Sequence, residues 1–350
     1  MKMLIKRMLW LIMACLLLAA GTAFGEGSWA YINQPMERPE NWQQWVENSP
    51  FALGGKMALE QKTGEPILFE QSYGSYPCLD GSTVMVPLAM ELARQHLQIP
   101  ENDLSGFVAF STTHNAYERL IQKKPNLSPG IASEHTVMEE SRPVDMILAT
   151  EPSDEELKMA AETGVVLKKE PICYDAFVFL VNVKNPVANL TLDEIRKIYI
   201  GQVQNWQPLG GKDAAITPFQ RQPNSGSQTA MENLVMKGVP MEGAVWNYVS
   251  DGMSELVAQI GDYDNGENSI GYSYLYYLEN LYKSDQVKVL ALDGVTPAAE
   301  NIRSGKYPLT TCYYAVYREG DALGEAFTEW LLSQEGQKCL AQAGYIPLSE

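Results

Sequence analysis

Residues able to do covalent chemistry are scarce in this chain. There are three histidines, His96, His114 and His135, and five cysteines among 350 residues. No GxSxG, HExxH, P-loop or CxxC pattern occurs, so the sequence marks no nucleophile elbow, no Walker-type phosphate loop and no zinc pair. No cofactor or metal is expected. Cys78, Cys173, Cys312 and Cys339 stand at long, irregular spacings. Free buried thiols are the plain reading, and one bridged pair is an alternative that spacing cannot assign.

Positive charge is also short. Twenty-six Lys and Arg face 43 Asp and Glu, for a formal charge of −17. That excess disfavours nucleic acid and anionic membranes as partners. Any anion the protein holds must be held by local geometry. Long apolar runs are limited to Met8–Ala20, shorter than the roughly 20 residues that span a bilayer. The run follows Lys2, Lys6 and Arg7 and precedes the small-x-small triplet Ala23-Phe24-Gly25. Residues 1–25 therefore read as a secretory signal, which makes the protein exported, periplasmic or extracellular. Cys15 offers a lipid-anchored alternative, although three leucines continue the apolar run beyond it. Cleavage near Gly25 removes three cations and takes the charge from −17 to −20.

What remains has globular composition, 45% hydrophobic and 20% charged, at a length that suggests two domains. Residues 26–64, with Trp29, Trp42 and Trp45, read as an N-terminal extension carrying a short helix near 41–47. An alternating βα pattern follows, which predicts an α/β fold with sheets and flanking helices. Strands are expected at 66–70, 107–110, 144–149, 175–181, 215–219, 269–272 and 309–316. Ser153 and Thr191, each with Glu three residues on, are capping boxes that open helices ending before Gly164 and near Gly201. Further helices are expected from Ser82-Thr83, Thr113 and about Gln228, and over 322–332 and 334–343. The apolar strands at 175–181 and 309–316 suit crossings between two lobes.

The candidate site residues cluster where strands feed helices, the positions at which open α/β sheets bind ligands. Arg221-Gln-Pro-Asn-Ser225-Gly226-Ser227 combines a guanidinium fork, two hydroxyls and a glycine at a helix N-terminus, a donor set suited to a small oxyanion. Its plain reading is a turn and a cap. Ser82 and Thr83 after Gly81, and Thr112 and Thr113 before the next helix, repeat the theme, with capping again the alternative. Glu151, after the strand ending at Ala149, reads either as a surface acid or as a carboxylate in the site. In the site it would accept a hydrogen bond from a protonated anion and repel an unprotonated one. His114 reads as a surface histidine, and Asn205-Trp206 and the tyrosines at 272, 274, 276 and 277 as turn and core packing.

Taken together, these segments resemble the PstS-type phosphate-binding proteins of bacterial phosphate ABC transporters. The stretch from Asp175 to Gly211 carries the likeness most specifically. It is joined in order by Arg221…Ser225-Gly226-Ser227, Ile270-Gly271-Tyr272, Tyr307-Pro308-Leu309 and Gly344-Tyr345-Ile346-Pro347. The resemblance implies a two-lobed periplasmic-binding-protein fold of type II with mixed sheets and two hinge strands. It puts lobe I at 65–173 plus 310–350 and lobe II at 174–309. It also implies a monomer that is not an enzyme, captures phosphate in the cleft and hands it to a membrane ABC permease. By position, Ser82, Thr83, Arg221, Ser225, Gly226 and Ser227 match the family's contacts, and Glu151 falls where many members have Asp. The pattern departs at three points. Phe110-Ser-Thr-Thr113 replaces a Gly-Ser-Gly and favours Thr113 as the hydroxyl there. Glu151 is a methylene longer than Asp, and Pro223 stands where an acidic partner of the arginine is frequent. The rival readings are a same-fold module for another oxyanion or for none, and a secreted serine hydrolase using Ser225 or Ser227 with a histidine.

Overall fold

A computed structural model describes residues 76–96, 108, 110–126, 143–242, 249–250, 256–257, 260–261 and 266–349. The leader, Cys15, the extension at 26–64, the strand at 66–70 and His135 lie outside the described residues. The chain divides into two units, Met1–Pro35 and Met36–Glu350, and every described residue belongs to the second. Among the described residues no helix is long and apolar enough to cross a membrane.

An eight-stranded mixed sheet organises this unit. Its main path runs β1 (Leu79–Gly81), β2 (Met146–Ala149), β7 (Thr310–Arg318), β3 (Leu167–Asn182), β5 (Ser269–Tyr274), β4 (Thr217–Pro218). The pairs β1/β2 and β4/β5 are parallel, and the pairs between them are antiparallel. β6 (Val287–Val289) and β8 (Ile346–Pro347) pair with β3 off this path.

β3 is the spine. From Leu167 to Ala176 it pairs with β7, and from Phe177 to Val181 with β5. Its second half is buried throughout, as the apolar sequence requires. The strand begins eight residues before the expected Asp175, through Lys168-Lys-Glu-Pro171. Pro171 cannot donate to the ladder, and it is tolerated beside a register shift opposite Tyr313 and Tyr314. β4 is shorter than expected, keeping two residues of 215–219, Val108 and Phe110 lie in no strand, and β5 and β7 run two residues past their expected ends.

The helices follow local signals. α1 (Val86–His96) is preceded by a 3₁₀ turn, Thr83–Met85. α2 (Thr113–Gln122) lays Ala116, Tyr117 and Leu120 on Ile147 and Ala149 of β2 and Val316 of β7. α3 (Asp154–Thr163) and α4 (Leu192–Tyr199) both open on complete capping boxes. α3 stops at Gly164 with φ +70°, a left-handed stop that glycine adopts without a Cβ penalty. α5 (Gly226–Ala230) continues into a π-helical turn, Met231–Met236. α6 (Ala322–Leu332) and α7 (Gln334–Gln342) follow β7 and precede β8.

A cluster of aromatic rings, Phe177, Phe179, Tyr199, Tyr272 and Tyr274, fills the core beneath β3 and β5. Trp206 is buried, and its indole N–H donates to the Asn268 carbonyl at 2.9 Å. All four described cysteines are free thiols. Cys173 pairs with Tyr313 and Cys312 with Tyr174, so strand alternation turns those two sulfurs to opposite faces.

Candidate functional site

The carboxyl ends of β1 and β2, the N-terminus of α2 and the loop before α5 meet at one point. Ser82 follows β1 in extended backbone, φ −70° and ψ 141°, as the N-cap of the 3₁₀ turn, yet its side chain makes no cap hydrogen bond. Its Oγ lies 2.8 Å from Thr113 Oγ1 and accepts the Thr150 N–H at 3.3 Å. Ser82 and Thr113 are both buried. Thr83 is half-buried within the turn.

Thr150 is the residue that sequence reading missed. It follows β2 on the same strand-to-helix rule that selected its neighbours, but the charge of Glu151 beside it points the sequence pattern to the acid instead. Its carbonyl accepts the buried Tyr117 hydroxyl at 2.8 Å. Its own Oγ1 is buried beside the Tyr274 hydroxyl and, among the described residues, has no partner at hydrogen-bond geometry. Gly226 closes the group from the opposite side. A Cβ there would lie 2.4 Å from Thr150 Oγ1 and 3.1 Å from Thr113 Oγ1. Close approach, rather than backbone conformation, is what requires glycine at this position.

Asp80 holds the Ser82 and Thr113 segments together. Oδ1 accepts the Gly81 and Ser111 amides, each at 2.7 Å, while Oδ2 accepts Ser111 Oγ at 2.5 Å and Arg119 Nη1 at 3.3 Å. Burial raises its carboxyl above the usual range, and the donors from Ser111, Gly81 and Arg119 oppose that rise. This clamp supports an unusual backbone. Thr112 has φ 78° and ψ 164°, a region that is nearly glycine's own and costs about 1–3 kcal/mol for other residues. Thr112 thus occupies a glycine-like conformation with an exposed side chain, its Oγ1 accepting from Asn115 at 3.4 Å. The structure gathers Thr113 into the cluster and leaves Thr112 at its edge.

In the Arg221–Ser227 run the residues divide. Ser225 Oγ accepts the Gln228 amide at 3.3 Å and so caps α5. Ser227 is buried in the first turn. The Arg221 amide donates to Tyr272 Oη at 3.0 Å and to Gln228 Oε1 at 3.1 Å. These contacts fix the backbone of Arg221 without an acid at Pro223. Asn224 adopts φ +61° and donates to Glu155 at the start of α3.

Glu151 is half-exposed. Its Oε1 accepts Lys169 Nζ at 2.7 Å and the Tyr314 hydroxyl at 3.1 Å. His114 is bound to the buried Glu156, Nδ1 to Oε1 at 2.9 Å. His96 stacks edge-on against Trp330 with its pKa lowered to about 4 by burial. Neither described histidine is paired with a site hydroxyl. The arrangement offers hydroxyls and a helix-start backbone, with Arg221 in the loop before α5, which suits holding a small anion without transforming it.

A model of the PBP superfamily domain matches residues 108–335. The phosphate-binding protein PstS of Bacillus subtilis is 32% identical over 173 residues, 49% of this chain and 54% of that protein. The match therefore spans about half the length of that relative. The PstS of Borreliella burgdorferi is 26% identical over 190 residues, 51% of this chain and 65% of that one. Among solved structures, a Clostridium perfringens protein assigned as a phosphate ABC transporter substrate-binding protein, with bound phosphate, superposes with TM-score 0.55. It is 27% identical, and the alignment covers 77% of this chain and 98% of that one. An ABC-type phosphate transport receptor from Vibrio cholerae, 21% identical, shares the fold with TM-score 0.51, covering 77% of this chain and 98% of that one. The family model spans well over half of the chain, and the chain belongs to the PBP superfamily.

Proposed function

We propose that this chain binds inorganic phosphate in the cleft between two lobes and delivers it to a membrane ABC permease. The convergence of Ser82, Thr113 and Thr150 with the close-approaching Gly226 carries the reading. Neutral donors suit an anion in a chain of charge −17, because they stabilise charge without relying on a positive surface. In the closed state the ligand is held by Ser82, Thr83, Thr113, Thr150, Arg221, Gly226 and Ser227. Ser225 contributes as the cap that fixes the start of α5, and Thr112 by shaping the turn before α2. The lobes divide as 65–173 with 310–350 and 174–309, β3 and β7 joining them. Ligand that bridges both lobes favours the closed state by differential affinity. With residues 1–25 as a signal, the protein is exported and works as a monomer outside the cytoplasm, with Cys15 as the anchor if the leader is lipidated.

Titration calorimetry of the folded, ligand-stripped chain with phosphate, sulfate and molybdate tests this. Heat with phosphate is the expected result. No heat with phosphate would sink the proposal, and heat with another oxyanion alone would reassign the ligand.

A further inference from the structure

Glu151 sets a problem for an anion site. It is the residue after Thr150, and its charge reaches the groups that frame the cluster. Burial foremost, then Glu156 and Glu151, push the Tyr117 hydroxyl upward. Burial foremost, with Asp175 and Glu151 also contributing, does the same to Tyr274. Both tyrosines adjoin Thr150. An uncompensated carboxylate so near the cluster would oppose any anion, and a doubly charged one most.

The structure supplies a counter-charge from another element. Lys169 lies on the N-terminal half of β3 and places Nζ 2.7 Å from Glu151 Oε1. Two features hold the ammonium there. Nζ sits 4.5 Å from the centroid of the Tyr314 ring on β7, within cation–π range. The hydroxyl of the same tyrosine donates to the same Oε1 at 3.1 Å. Three segments, the loop after β2, β3 and β7, therefore fix one ion pair. Its side chains are about a third exposed, 35% for Lys169 and 34% for Glu151.

We propose that Lys169 is a specificity-determining residue, neutralising Glu151 so that the site accepts anions without demanding that they carry a proton. This inference rests on the phosphate-binding reading above. Among the described residues, the titratable groups facing Glu151 are Lys169 from β3, Tyr314 and Cys312 from β7, Tyr117 from α2 and Tyr274 from β5. Burial and the Glu151 charge push the Cys312 thiol to about 11, and burial raises the tyrosines further. Lys169 is the ammonium of this set, 2.7 Å from Glu151 Oε1. Without it, Glu151 becomes an acceptor that favours a ligand bringing a proton and repels one that cannot.

The test compares the full chain with Lys169→Gln, Lys169→Arg, Glu151→Gln and the double variant Lys169→Gln/Glu151→Gln. Phosphate affinity is measured calorimetrically at about pH 6 and about pH 8.5, with sulfate as competitor. Asp175, raised by burial to about 7, titrates in this window in every variant, so the comparison is between variants. Lys169→Gln should raise the phosphate-to-sulfate affinity ratio and steepen the loss of phosphate affinity with rising pH, each by about three- to tenfold. Lys169→Arg keeps the charge and should behave as the parent, and the double variant should return to the parent ratio. A Lys169→Gln protein that binds phosphate with an unchanged ratio and pH profile overturns the inference. So does a double variant that keeps the single variant's ratio. Failure of the parent chain to bind phosphate would instead overturn the functional reading itself.

Discussion

Gly226→Ala separates binding from folding. The added methyl would lie 2.4 Å from Thr150 Oγ1 and 3.1 Å from Thr113 Oγ1, the first about an ångström inside ordinary contact. Neither threonine can give way cheaply. Both are β-branched and stiff at χ1, Thr150 is held through its carbonyl by Tyr117, and Thr113 Oγ1 is engaged with Ser82. Overpacking of this kind costs about 1–3 kcal/mol. If the contact spans two lobes, opening them relieves the clash. The cost then falls on the closed state alone, weakening phosphate binding by roughly five- to 150-fold. The ligand-free melting temperature should stay where it is, while the stabilisation given by excess phosphate shrinks with the lost affinity. Gly81→Ala is the contrast. A Cβ there would lie 2.2 Å from the Leu148 carbonyl oxygen, between paired strands that cannot separate, so it should lower the melting temperature with or without phosphate. Calorimetry and paired thermal melts decide the matter. Gly226→Ala binding phosphate within twofold of the parent, or melting early without ligand as Gly81→Ala does, would refute the reasoning.

Other outcomes follow from the same contacts. Arg221→Ala should abolish phosphate binding and leave the circular dichroism spectrum unchanged; retained affinity would remove Arg221 from the site. Asp80→Asn replaces a carboxylate taking four hydrogen bonds, one from Arg119. It should cost about 1.5–3 kcal/mol of stability in urea and weaken binding by disordering the turn at Thr112. Asp175 is buried, accepts the Tyr313 hydroxyl and the Ala176 and Tyr276 amides, and is raised by burial from 3.8 to about 7. Between those values the folded state binds the extra proton, so this group's contribution to stability falls as pH rises from about 4 to 7 and then levels off. Asp175→Asn should flatten the decline in urea stability between about pH 5 and pH 8 by on the order of 2 kcal/mol; an unchanged slope would count against it.

What the sequence determined by itself was local. Ser153 and Thr191 opened their helices, and Gly164 ended one, because the partners of a cap lie within four residues and no other part of the chain is consulted. The apolar runs near 175–181 and 309–316 became central strands because no exposed position suits such residues. The Arg221–Ser227 run was legible as a turn leading to a helix start. Which of its atoms face the cluster was not. Ser225 spends its hydroxyl on the cap, and Gly226 makes the approach. Tertiary structure also recruited Thr150, set Thr112 at φ 78° under the Asp80 clamp, and paired Glu151 with Lys169 across two segments. The difference is physical. A cap or a buried strand is decided by neighbours in sequence and by the cost of exposing apolar surface. A cluster of side chains is decided by which strand ends and helix starts the fold brings together, and here that depends on the order in which β1, β2, β7 and β3 lie side by side.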